Sequence, residues 1–128
     1  MESPGKKILI VDDDEFLLDM YALKFRESGF DVEMAHGGEE AMQKIRGGLN
    51  PNVLLLDVVM PTLDGFDVLK LIKKENLIPA AVLVVLTNLG QKEDVEKGLH
   101  LGARDYIVKA HFTPSEVVKK VSALLEKK

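Results

Sequence analysis

Short, almost continuous apolar runs alternate with segments of helical period along this chain, and that alternation leaves few folds open to it. The runs are Ile8–Val11, Val53–Leu56 and Ala81–Leu86, with weaker ones at Val32–Ala35 and Tyr106–Val108. A strand with one face in water alternates apolar and polar residues, whereas a strand that is apolar throughout must be covered on both faces. Between the runs, Leu17, Met20, Tyr21 and Phe25 share one helical face. So do Val68, Leu69 and Ile72, and again Val117, Val118, Val121 and Leu125. Weaker helices are expected over Glu39–Arg46 and Lys92–Leu99. Gly29, Gly37–Gly38, Gly47–Gly48 and Gly102 fall at the joints, and Pro114 sits in the first turn of the last helix with Thr113 as its cap. Five strand–helix repetitions predict an α/β fold, a doubly wound (βα)5 parallel sheet with helices on both faces and right-handed crossovers. Ligands of such sheets bind beyond the carboxyl ends of the strands.

One domain takes up the whole chain, residues 1–128, with residues 1–6 as a frayed polar lead. At 46% hydrophobic and 30% charged residues, disorder is excluded and about two-thirds of the unfolded surface can be buried. A net charge of −4 argues against a main role in gripping nucleic acid or an anionic membrane. The absence of cysteine removes disulfides, thiolate metal sites and Cys nucleophiles. The longest apolar stretch, Ile78–Leu86, falls well short of the roughly 18 residues that span a bilayer, and Ile8–Val11 is too short for a signal peptide. A soluble cytoplasmic domain is therefore expected. The ending Leu124–Lys128 favours a single-domain protein over a domain cut from a longer one.

The strand ends carry the chemistry. The first run ends in Asp12-Asp13-Asp14-Glu15, more acid than capping one helix requires. The run Val53–Leu56 ends in Asp57, which is followed by the apolar Val58, Val59 and Met60, so Asp57 is not the cap of the next helix; Asp64 suits that task, as Asp14 suits it for the first helix. The fourth run ends in Thr87-Asn88 and the fifth in Lys109. Carboxylates about 5 Å apart repel by roughly 3 kcal/mol at an effective dielectric near 20. A hard divalent cation relieves this, and Mg²⁺ suits it best because it takes one or two carboxylates and leaves room for a phosphoryl oxygen. Lys109 can neutralise a second phosphoryl oxygen, Thr87 can donate a hydrogen bond to a third, and a carboxylate can accept the phosphoryl group as an acyl phosphate.

With these residues in place, the chain resembles the receiver domains of two-component response regulators, including the single-domain chemotaxis type. The resemblance covers Lys6 to Lys128 and rests on ILIVDDD at Ile8–Asp14, LLLDVVMPTLDG at Leu54–Gly65, VVLT at Val84–Thr87 and GARDYIVK at Gly102–Lys109. It implies a flavodoxin-like sheet of strand order 2-1-3-4-5. It also implies Asp57 as phospho-acceptor, Asp13 as a direct Mg²⁺ ligand, Asp12 as one acting through metal-bound water, and the Val59 backbone carbonyl as a further ligand. Thr87 then resembles the switch hydroxyl, Lys109 its cationic partner, and Tyr106 the aromatic residue that turns inward with Thr87. The surface of the fourth helix, fifth strand and fifth helix becomes the output face. The implied donor is a histidine kinase or histidine phosphotransfer protein, and the implied target a downstream protein. The resemblance further implies that neither nucleic acid nor membrane is bound directly and that the chain acts as a monomer or a phosphorylation-promoted dimer. It modifies itself as a switch and is not a turnover enzyme.

Two departures from the family stand out. Ala110 replaces the usual proline after the lysine, and a cis bond to a non-proline residue costs about 2.5–4 kcal/mol, so a trans Lys109–Ala110 bond and a rearranged loop are expected. Asn88 stands where the family has a smaller residue; with Val59 and Leu89 it is expected to restrict the hydrolytic water and slow self-dephosphorylation.

His36, His100 and His111 lack metal-ligand spacing and are read as surface residues. Phe16, Leu18 and Leu23 widen the apolar face of the first helix, which suits either a generous core helix or a docking surface for the phosphodonor. Three other functions compete. A haloacid dehalogenase-type phosphatase would use Asp12-x-Asp14 but needs a late acidic pair that is missing and leaves Asp57 idle. A flavin-phosphate module would meet repulsion at the first loop. A phosphate-independent binding module leaves the acid, Thr and Lys set without purpose.

Overall fold

The computed structural model of the protein describes residues 5–126; residues 1–4 of the expected frayed lead, and Lys127 and Lys128, lie outside the described residues. The strands are β1 (Lys7–Val11), β2 (Asp31–Ala35), β3 (Val53–Leu56), β4 (Val82–Thr87) and β5 (Asp105–Val108). The helices are α1 (Glu15–Glu27), α2 (Gly38–Arg46), α3 (Gly65–Lys74), α4 (Lys92–His100) and α5 (Pro114–Glu126), with a short 3-10 turn at Lys109–His111. All five strands run parallel in the order β2-β1-β3-β4-β5, as expected.

The continuous apolar runs have a direct physical cause. On one face of the sheet, Leu9, Val11, Leu54, Leu56 and Val85 pack with Met42 and Ile45 of α2 and Val68, Leu69 and Ile72 of α3. On the other, Ile8, Ile10, Val53, Leu55, Val84, Leu86 and Ile107 pack with Tyr21 and Phe25 of α1 and Val117, Val118 and Val121 of α5. Consecutive residues of the central strands β1 and β3 thus enter opposite cores, which is why Ile8–Val11 and Val53–Leu56 are apolar at every position.

The helix starts follow from their caps. Asp14 accepts the Leu17 N–H at 3.1 Å, and Asp64 forms a reciprocal capping box with Asp67. Thr113 Oγ1 accepts the Glu116 N–H at 3.2 Å while Glu116 accepts the Thr113 N–H at 2.8 Å, with Pro114 at the first helical position. The expected face of α1 needs one correction. Leu18 is fully buried together with Tyr21, Ala22 and Phe25, while Leu17 and Met20 are only partly covered. Leu18 is thus core, and of the large apolar residues of α1 only Phe16 and Leu23 are exposed. All three histidines are exposed. Among the described residues no helix is long and apolar enough to cross a membrane.

Candidate functional site

Parallel pairing of β1 with β3 aligns Val11 with Leu56, and the next backbone bond, Asp57 N–H to the Val11 carbonyl at 3.0 Å, carries the register one residue further. Asp12 and Asp57 consequently leave the sheet side by side. Thr87 closes β4, paired with Val108 of β5, and Lys109 follows that residue immediately. Sheet register alone therefore brings four distant residues to one rim.

Lys109 bridges the two buried carboxylates. Its Nζ donates to Asp12 Oδ2 at 2.6 Å and to Asp57 Oδ2 at 2.9 Å, with side-chain exposures of 8% for Lys109, 3% for Asp12 and 9% for Asp57. The other oxygens are held by backbone: the Asp14 N–H donates to Asp12 Oδ1 at 2.9 Å and the Val59 N–H to Asp57 Oδ1 at 3.0 Å. Burial pushes the Asp12 carboxyl above the ordinary carboxylate range, against the Lys109 hydrogen bond that favours its charge. Burial also works against the Lys109 ammonium, but its bond to Asp12 and the charge of Asp57 outweigh that and hold it above the usual lysine range.

Asp13 is exposed and completes a group of three carboxylates whose nearest oxygens all lie within 4.8 Å of one another. Three carboxylates against one ammonium leave two negative charges uncompensated among these four groups. The donor set is all oxygen, which fits a hard divalent cation such as Mg²⁺ rather than a soft one. These residues line a cleft of about 390 Å³ whose rim also includes Val59, Thr87, Asn88 and Leu89. Val59 turns its side chain outward, and Thr87 is fully buried.

Tyr106 lies apart from the cleft. Its hydroxyl donates to the Leu89 carbonyl, while the Leu89 N–H donates to Thr87 Oγ1 at 3.4 Å. Burial, with the negative charges of Asp94 and Asp57, pushes the Tyr106 phenol up to about 12. The expected site residues Asp12, Asp13, Asp57, Val59, Thr87 and Lys109 thus come together at the cleft, and Tyr106 joins them only through Leu89. No peptide bond among the described residues is cis, so Lys109–Ala110 is trans, and a 3-10 turn follows Lys109.

Two contributors were not singled out by sequence reasoning. Gly65 packs so tightly under the site that a Cβ there would lie 2.3 Å from the Asp57 carbonyl oxygen, and its N–H holds the Val58 carbonyl at 3.1 Å. Its signal was a glycine at the first position of a helix, directly after the cap. Gly98, inside α4, backs the Tyr106 ring; its signal was a glycine in a helix interior.

The chain resembles known proteins along nearly its whole length. The family described as response regulator receiver domain matches residues 8–122. The alkaline phosphatase synthesis transcriptional regulatory protein PhoP of Bacillus subtilis is 38% identical, over 96% of this chain and 50% of that protein. The DNA-binding response regulator MtrA of Mycobacterium tuberculosis is 36% identical, over 99% of this chain and 54% of that protein. The chain therefore spans about half the length of these relatives. Among solved structures, the Francisella response regulator 1452 receiver domain superposes with a TM-score of 0.86 at 34% identity, covering 95% of this chain and 98% of that one. A CheY-like receiver domain protein from Methanospirillum hungatei gives a TM-score of 0.86 at 30% identity, covering 97% and 95%. A sheet order, a cleft and a sequence match that agree in this way make the chain a member of the response regulator receiver domain family.

Proposed function

We propose that the chain is a phosphorylation switch in which Asp57 accepts a phosphoryl group from a histidine kinase or histidine phosphotransfer protein. The observation that carries this reading is the Asp57 carboxylate bridged by Lys109 to Asp12, inside a cleft with more negative than positive charge. One Asp57 oxygen forms the new P–O bond as the donor's P–N bond breaks, and the imidazole leaves with a proton. Lys109 gives up its contact with Asp57 and meets a phosphoryl oxygen, and the Thr87 hydroxyl donates to another. Asp12, Asp13, Asp57 and the Val59 carbonyl would hold Mg²⁺, which when bound supplies charge neutralisation to the phosphoryl oxygens.

Thr87 and Tyr106 then report the new state to the face of α4, β5 and α5, which controls a downstream protein target. The exposed Phe16 and Leu23 of α1, beside the acidic loop, supply a docking surface for the donor. Residues 1–128 act as one receiver domain in the cytoplasm, as a monomer or a dimer promoted by phosphorylation, modifying itself without turnover of a substrate. PhoP and MtrA are transcriptional or DNA-binding regulators by name; in this chain the receiver unit binds neither nucleic acid nor membrane.

Intact-protein mass after incubation with a small acyl-phosphate donor tests the reading. One added phosphoryl group is expected for wild type with Mg²⁺, and none without Mg²⁺ or in Asp57→Asn. An adduct that survives Asp57→Asn overturns the assignment of Asp57. If a cognate kinase also fails to label the wild-type chain, phosphoryl acceptance itself is overturned.

A further inference from the structure

The Tyr106 ring rests against Gly98, the one buried residue of α4. A Cβ at position 98 would stand 2.9 Å from Tyr106 Cδ2 and 3.1 Å from Cε2, well inside the roughly 3.5–4.0 Å at which carbons pack. Gly98 is not among the positive-φ glycines. Room rather than backbone freedom is what this glycine supplies, at a helix-interior position where alanine is intrinsically preferred. Lys97 next to it lies over the Phe66 ring at 4.6 Å, which ties this turn of α4 to α3. A side chain at 98 would therefore move the half-exposed ring before it moved the helix.

The position of that ring matters because of Leu89. Both polar groups of its backbone are engaged, the N–H by Thr87 from the cleft side and the carbonyl by Tyr106 from the α4 side. We propose that Gly98 is a positioning residue: by leaving space for the Tyr106 ring it sets the Tyr106 hydroxyl on the Leu89 carbonyl and so links α4 to Thr87 through one backbone unit. This deepens the switch reading above, on which its functional consequence rests, but the contact itself exists in the resting chain.

The test uses the resting chain labelled with 3-fluorotyrosine, whose two tyrosines, Tyr21 and Tyr106, give two fluorine resonances that Tyr106→Phe assigns. In Gly98→Ala the Tyr106 resonance is expected to move toward its urea-unfolded position while that of Tyr21 stays. Amide exchange at Leu89, whose N–H is held by Thr87, should accelerate about tenfold as the loss of the Tyr106 bond frees the Leu89 backbone. Tyr106→Phe should give the same acceleration, and adding Gly98→Ala to it should give no more. A Tyr106 resonance that does not move, or an equal second acceleration in the double variant, overturns the proposal. Should Gly98→Ala fail to fold, Tyr106→Phe still decides: unchanged exchange at Leu89 refutes the clamp. No phosphoryl donor is involved, so failure of the mass experiment leaves this one standing.

Discussion

Replacing Lys109 by methionine keeps most of the apolar stem and removes the one cation between two buried carboxylates. Two routes give the size of the effect. Breaking a buried pair by deleting one partner typically costs 3–5 kcal/mol, since the other charge is left uncompensated. Independently, two carboxylates whose oxygens lie within 4.8 Å of each other repel by about 3.5 kcal/mol or more at an effective dielectric near 20. Lys109→Met should therefore lose about 3 kcal/mol at neutral pH without divalent cations. With a urea m-value of about 2 kcal/mol/M, that is a midpoint roughly 1.5 M lower at unchanged m.

The pH dependence follows with a definite sign. Without Lys109, burial and the neighbouring Asp57 charge raise the Asp12 carboxyl unopposed by any cation in the folded chain. The folded state then binds more protons than the unfolded state over the acid range, and unfolding free energy rises as pH falls. The deficit of Lys109→Met should shrink from pH 7 toward pH 5. Millimolar Mg²⁺ should shrink it as well, because the carboxylate oxygens released by Lys109 become available to the ion. Adding Asp57→Asn should recover most of the loss. A Lys109→Met variant within about 0.5 kcal/mol of wild type at pH 7 in the presence of a chelator would refute this cost. A double variant no more stable than the single one would refute it as well.

Gly65→Ala should cost about 2 kcal/mol or more in urea unfolding, because its Cβ meets the Asp57 carbonyl oxygen at 2.3 Å and the Val58 Cα at 2.6 Å, backbone atoms that cannot swing aside; wild-type stability would refute this. Tyr106 should contribute stability that is fully present below pH 10, its unfolded value, and lost as pH rises through about 12, its folded value. The stability gap between wild type and Tyr106→Phe should accordingly narrow over that window and stay constant below it. Asn88→Ala, which opens the rim of the cleft, should speed the decay of phosphorylated Asp57 followed by intact mass; an unchanged decay rules out Asn88 as a barrier to water.

What the sequence made legible was whatever side-chain chemistry alone encodes. Ile8–Val11 reads as a doubly covered strand because Ile8 and Ile10 enter one core and Leu9 and Val11 the other. Asp57 stands out because Val58 and Met60, just beyond it, are themselves buried, so no helix begins there for it to cap. Phe16, Leu17 and Leu18 are consecutive apolar residues, however, and helical period admits either Leu17 or Leu18 to the core; only the seating of α1 on the sheet beside α5 selects Leu18. The Leu89 link was hidden for a different reason. It consists of a backbone N–H and a backbone carbonyl, which every residue but proline possesses, and its companion Gly98 contributes an absent side chain.

The same distinction explains why this site suits a switch. Asp12 is buried with its charge disfavoured, and Lys109 reconciles it with Asp57 by bonding to both. Any event that adds or removes charge at Asp57 must therefore reposition Lys109. That residue cannot move privately, because the peptide after Val108 of β5 fixes its backbone and a 3-10 turn leads from it to α5. On the neighbouring strand Thr87 is fully buried at the end of β4, with Leu89 hydrogen-bonded to it and Tyr106 hydrogen-bonded to Leu89. Lys109 is thus tied through its own backbone to the turn that leads into α5, and Thr87 through Leu89 and Tyr106 to the segment that leads into α4.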